Sequence, residues 1–143
     1  MKTLLKILLI VTLSASFTLV ADAQPDLYEK LNKKLAALYK NGNTLEAIEV
    51  AKEALKVAEK TFGENHPYVS ASLNNLALLY ISEGQYDKAE TLYERSLKIA
   101  EEHLGKDDPK LANILENMVK CNEKLGKVEK AEMLETRLNK IQE

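Results

Sequence analysis

The residues that break helices recur in this chain at a fixed interval. Its five glycines are Gly42, Gly63, Gly84, Gly105 and Gly126, each 21 residues after the last, and its three prolines are Pro25, Pro67 and Pro109, 42 apart. A period of this length marks a repeat array, in which each unit buries its apolar face only by stacking on its neighbour. The stretches between glycines run about 15 to 18 residues, too long for ordinary strands and suited to helices. The spacing predicts six helices over 26–40, 44–61, 67–82, 86–103, 109–124 and 128–142. Leu73, Leu76, Ala77 and Tyr80 fall on one helical face, as do Ala89, Leu92, Tyr93, Ser96, Leu97 and Ala100 on the next helix. Pro67 and Pro109 suit first-turn positions, with Asp108 a natural cap before Pro109, and the glycines suit helix ends that need a left-handed residue. The fold class is all-α, three antiparallel helix pairs.

Laying the chain on its own 42-residue period shows what is repeated. Ala54-Leu55-Lys56-Val57-Ala58-Glu59 returns as Ser96-Leu97-Lys98-Ile99-Ala100-Glu101, and Gly63-Glu64-Asn65-His66-Pro67 as Gly105-Lys106-Asp107-Asp108-Pro109. Ala47, Ala89 and Ala131 share one register. Tyr39 and Tyr80 pair at an offset of 41, which predicts a first helix–helix turn one residue shorter than the second.

Leu73…Leu76-Ala77…Tyr80…Ala89…Tyr93…Ser96 resembles the tetratricopeptide-repeat pattern, and the 42-residue spacing resembles its kinesin-light-chain subtype, as does Asn74-Asn75-Leu76-Ala77…Tyr93-Glu94-Arg95-Ser96-Leu97…Gly105…Asp108-Pro109. Repeat one keeps Leu35, Ala36, Tyr39, Ala47 and Ala54 but has Ala51 for the second aromatic. Repeat three has Asn122 for the tyrosine and Glu135 for the second aromatic, as a more polar terminal repeat would. The resemblance implies a right-handed α-solenoid over 24–143, with repeats at about 25–66, 67–108 and 109–143, whose first helices line a concave groove. It also implies a non-catalytic protein–protein interaction module that holds a peptide or a partner helix there. The competing reading is an assembly subunit that self-associates or stacks through its repeat ends.

The first 23 residues read as something else. Lys2 and Lys6 precede an apolar run from Ile7 to Val20, and Ala21-Asp22-Ala23 fits the small-x-small pattern of a cleavage site. A bacterial-type secretory signal peptide is expected, cut between Ala23 and Gln24, with the product periplasmic or secreted. The run is short of the ~20 residues that cross a bilayer. Its removal takes Lys2, Lys6 and Asp22 from 20 basic and 22 acidic residues, leaving a net charge of -3. That balance offers no basic face to nucleic acid. With Cys121 the only cysteine there is no internal disulfide, so the core alone must hold the fold.

No pattern for catalysis stands out. His66 and His103 have no second ligand at metal spacing, and there is no phosphate loop or nucleophile–base order, so neither a cofactor nor enzymatic activity is expected. Cys121, in the register of Leu79, reads as a small core residue, with an intermolecular disulfide as the alternative. Asparagine is a mediocre helix former, yet Asn74, Asn75, Asn113 and Asn117 all lie within first helices, Asn75 and Asn117 in one register. The resemblance places that register in the groove, where an amide can bond a peptide backbone; a solvated or structural amide is the alternative. The expected groove set is Lys33, Ala37, Asn74, Asn75, Leu78, Asn113, Asn117 and Lys120. The family's carboxylate clamp is not expected, because only Lys33 and Asn75 match it, while Ala37, Asn113 and Asn117 do not. Lys33, Lys120 and Lys124 give the groove some positive charge, a weak preference for an acidic segment. Of Tyr28, Tyr68, Tyr86 and Tyr93 as aromatic anchors, Tyr68 is the one expected to be exposed; Tyr39, Tyr80 and Tyr93 are expected in the core.

Overall fold

In the computed structural model the described residues are 25–143, so the expected leader and its cleavage between Ala23 and Gln24 lie outside the described residues. Six helices follow one another: α1 over 25–40, α2 Thr44–Phe62, α3 Pro67–Ser82, α4 Tyr86–Leu104, α5 Ala112–Lys124 and α6 Val128–Gln142. The last first-helix does not open at Pro109 as an α-helix. Pro109–Leu111 forms a 3-10 turn, with Leu111 N–H bonded to Asp108 O, and α5 begins after it. Tightened first turns of this kind are common at helix ends. Asp108 caps that turn as expected, accepting from Lys110 N–H at 2.8 Å.

The hydrogen bonds of the turns set the repeat register, and they correct one expectation. Gly42 N–H bonds to Tyr39 O, Gly84 N–H to Ile81 O and Gly126 N–H to Glu123 O; beside them Asn43, Gln85 and Lys127 bond to Leu38, Tyr80 and Asn122. All three turns are therefore equivalent at an interval of 42, and the first is not a residue shorter. Leu38, not Tyr39, takes the place of Tyr80. Tyr39 takes the place of Ile81 and is 60% exposed rather than in the core. Tyr80 is half-buried and Tyr93 fully buried.

In this register the core is built by equivalent residues. Leu31, Leu73 and Leu115 are each buried, and each contributes on the order of 1.5–3 kcal/mol through lost contact with water. Leu31, Leu35 and Leu38 of α1 pack with Ile48, Val50, Ala51 and Ala54 of α2 and against Leu76 and Leu79 of α3, which joins the first two pairs. Tyr93 and Leu97 of α4 pack with Leu115, Met118 and Cys121 of α5, which joins the second and third. Within the second pair, Ser70 and Ser96 exchange hydrogen bonds, each hydroxyl reaching the other's carbonyl at 2.8–2.9 Å. Small residues there let the two backbones approach closely.

On the other side the second helices are tied by a periodic ion-pair ladder. Arg95 of α4 meets Glu59 of α2 at 2.6 Å and reaches Glu64 O; Arg137 of α6 meets Glu101 of α4 at 2.6 Å and reaches Lys106 O. Every member of the second rung lies 42 residues after its counterpart in the first. Glu90 of α4 adds a third tie, bonded to Lys127 and Lys130. Burial opposes its charge, but those two lysines together hold its carboxyl below the usual range.

Candidate partner-binding cleft

Between the first helices of repeats one and two lies a cleft of about 310 Å³, lined by Asn32, Leu35, Ala36 and Tyr39 of α1 and by Asn75, Leu78 and Leu79 of α3. The register mates of Asn75, Leu78 and Leu79 are Lys33, Ala36 and Ala37, of which only Ala36 lines the cleft, so largely different faces of the two helices meet across it. The floor is apolar and two carboxamides stand beside it. An amide both donates and accepts, and so can match either group of a peptide backbone. From Pro67 to Ser82, α3 carries no acidic or basic side chain. No charged side chain is among the residues that line the cleft.

Asn75 and Leu78 of the expected groove set line this cleft, and the other six residues are not among its lining. Lys33 is exposed and pairs with Glu29 one turn back at 2.6 Å, which raises its own pKa through that hydrogen bond. Ala37 is exposed at the register of Leu79 and Cys121. Asn74 is half-buried, and its Oδ1 is enclosed without a hydrogen-bond partner among the described residues. Asn113 and Asn117 bond each other, Nδ2 of Asn117 donating to Oδ1 of Asn113 at 3.4 Å. Lys120 is exposed on α5. Asn32, Leu35, Ala36, Tyr39 and Leu79 were not expected. The offset of 41 hid Tyr39 in the core, and with it the α1 wall.

Cys121 is buried, and its Sγ contacts Tyr86 O at 3.3 Å. Burial pushes its thiol pKa up, so it is placed as a core residue and not where a second chain could reach it. Tyr68 is 48% exposed but packs into a cluster of rings with Tyr28, Phe62 and His66. Tyr28 is half-buried, its hydroxyl near Tyr68 O and Ser72 Oγ. Among the described residues no group of three or more His, Cys, Asp or Glu is placed to hold a metal, and no helix is long and apolar enough to cross a membrane.

Stacked helix pairs with an amide-lined cleft along their first helices define an α-solenoid of the protein-interaction class. The chain belongs to the tetratricopeptide-repeat family, whose pattern matches residues 27–102 and again 68–142, and its repeats are of the kinesin-light-chain-like type. Among solved structures it is similar to BtubC (BKLC) from P. vanneervenii, at 27% identity and a TM-score of 0.75, over 80% of this chain and 46% of that one. A kinesin light chain with nearly identical TPR-like repeats from Podosopora anserina matches at 24% identity and 0.71, over 80% and 54%. The TPR domain of Arabidopsis FLU matches at 18% identity and 0.71, over 83% and 98%. The chain thus spans about half the length of the first two. No curated protein matches it.

Proposed function

We propose that the chain is an exported, non-catalytic binding module that holds a segment of a partner protein across the first-helix cleft, in the periplasm or outside the cell. The observation that carries this is a cleft between the first helices of two repeats, with the carboxamides of Asn32 and Asn75 and the ring of Tyr39 around an apolar floor of Leu35, Leu78 and Leu79. A partner segment would seat one apolar side chain there and meet the amides with its backbone. Lys33 is paired with Glu29, and α5 carries Glu116 and Glu123 beside Lys120 and Lys124, so any preference for an acidic partner segment is weak. Export rests on the leader-like first 23 residues alone.

Asn32→Ala combined with Asn75→Ala tests the reading. Affinity capture from the envelope fraction should yield a partner with the unaltered chain and lose it with the double variant, while Tm changes by no more than about 2–4 °C, the amides being half-buried. If the double variant unfolds readily, the amides are structural and the assignment fails.

The rival reading, stacking through the repeat ends, has less support. The outward faces of α1 and α2 carry Lys34, Ala37 and Glu53 where α3 and α4 carry Leu76, Leu79 and Arg95. An approaching copy would find a carboxylate in place of the ladder's arginine and a lysine and an alanine in place of two core leucines. A concentration-dependent oligomer in light scattering would restore that reading.

A further inference from the structure

Both histidines touch the turn between α2 and α3. His66 is the N-cap of α3: with Pro67 next, its Nδ1 accepts from Tyr68 N–H at 3.2 Å. One period later Asp108 does the same work, its carboxylate accepting from Lys110 N–H at 2.8 Å. The two caps are the same in geometry and different in chemistry. A carboxylate keeps its acceptor oxygens well below neutral pH, whereas an imidazole nitrogen accepts only while it carries no proton. The His66 ring is also held in place, stacked on Phe62 at 5.1 Å and tilted against Tyr68 at 5.0 Å.

We propose that His66 makes the junction between repeats one and two acid-sensitive, while Asp108 leaves the junction between repeats two and three acid-tolerant. A proton on Nδ1 turns the acceptor into a donor facing another donor, and it sets a positive charge at the positive end of α3. His103 responds in the opposite sense. Its Nε2 contacts Asn65 O at 2.6 Å, a contact that only an N–H satisfies, and it sits in the last turn of α4, where a cation complements the helix dipole. Acid therefore preserves the hold of α4 on Asn65 and releases the hold of the turn on α3.

The other groups around the ring do not reverse this. Glu64 from the turn and Glu102 from α4 line the same surface cleft as both histidines and favour a cationic ring, but neither bonds Tyr68 N–H. Arg95 of α4 is directed to Glu59 of α2 and to Glu64 O, and Tyr28 of α1 and Tyr68 of α3 contribute uncharged phenols. The bond from Tyr68 N–H is open only to an unprotonated Nδ1, so it is made by the neutral ring and lost once that nitrogen carries a proton. In a solenoid each junction is nearly independent of the others, so the loss should stay local to repeats one and two. The proposal does not require that the first-helix cleft be in use.

The test is thermal unfolding of the full chain at about pH 7.5 and about pH 5.5, with the Tyr68 amide followed by NMR across that range. The unaltered chain should lose about 3–5 °C more in Tm than His66→Asp on acidification. Its Tyr68 amide should shift as the ring titrates, and that of His66→Asp should not. His66→Asn, whose side-chain oxygen caps at either pH, carries the same expectation if the aspartate variant folds poorly, and His103→Gln should keep the full acid loss. The proposal is overturned if both His66 variants lose as much Tm as the unaltered chain, if His103→Gln abolishes the loss, or if the Tyr68 amide does not respond.

Discussion

Tyr93 offers the sharpest test of how the core is held. Its ring is fully buried on α4, in the cluster that includes Leu97, Leu111 and Leu115, and its hydroxyl has no partner among the described residues. Burial pushes its phenol well above the ordinary range, with a smaller push from Cys121, so the group stays neutral at any working pH. An enclosed hydroxyl without a hydrogen bond costs about 1–3 kcal/mol. Tyr93→Phe removes that cost and leaves a void of about 20 Å³, which at about 24 cal/mol per Å³ returns roughly 0.5 kcal/mol. The net expectation is a gain of about 0.5–2.5 kcal/mol, read as a higher urea midpoint at unchanged slope and a Tm raised by about 2–10 °C. Tyr93→Ala, which deletes the ring as well, should instead lose about 3–5 kcal/mol. If Tyr93→Phe destabilises the chain by about 1 kcal/mol or more, the hydroxyl is engaged and this account of the core is wrong.

Two further outcomes follow from the repeat geometry. Arg137→Ala removes the second rung of the ladder, an ion pair and a carbonyl bond of 2.6 Å each, at a cost of about 1–2 kcal/mol. Hydrogen exchange should quicken in α5 and α6 and not in α1 and α2; uniform quickening, or none, would refute a junction-by-junction solenoid. Gly105 combines φ 90 with ψ 157, a region closed to side chains, so Gly105→Asn should cost about 1–3 kcal/mol. Gly84, at φ 71, lies in the range that asparagine tolerates, and Gly84→Asn should cost less than about 1 kcal/mol. Equal losses in the two urea titrations would show that their backbones are not distinct.

Most of the fold was legible because it is written in residues with few alternative uses. Glycine and proline have steep conformational preferences, so their period located every turn and the number of helices. Element ends were nearly as clear, apart from the 3-10 turn at Pro109–Leu111. The register of repeat one was not. Aligning Tyr39 with Tyr80 is the natural match by residue type, yet Leu38 occupies the tyrosine position and is buried there. Residue type misled because Tyr39 faces the cleft, where an aromatic serves as well as it does inside. The glycine spacing, already 42, was the better guide, since turn geometry fixes register whereas side chains at one position vary. The same slip concealed the α1 wall of the cleft, while Asn75 and Leu78, in the best-preserved repeat, were found.

The ladder shows what kind of information a repeat carries beyond its consensus. Glu59, Arg95, Glu101 and Arg137 look like ordinary surface charges, and nothing local distinguishes them from Lys98 or Glu102. Only their arrangement does: the arginine of each later repeat lies 36 residues after the glutamate it meets, and the whole pair recurs at 42. In repeat one that arginine register holds Glu53, and the leucine registers that receive a neighbour hold Lys34 and Ala37. The departures from the pattern therefore fall on helix faces that no described helix covers. Selection for stacking acts on faces that meet a neighbour, so where the ladder lapses the sequence is free to become polar. Repeat three follows the same logic, with the exposed Glu135 at the register of the buried Tyr93. What reads as decay of the motif in the outer repeats is then the physical boundary of the stack.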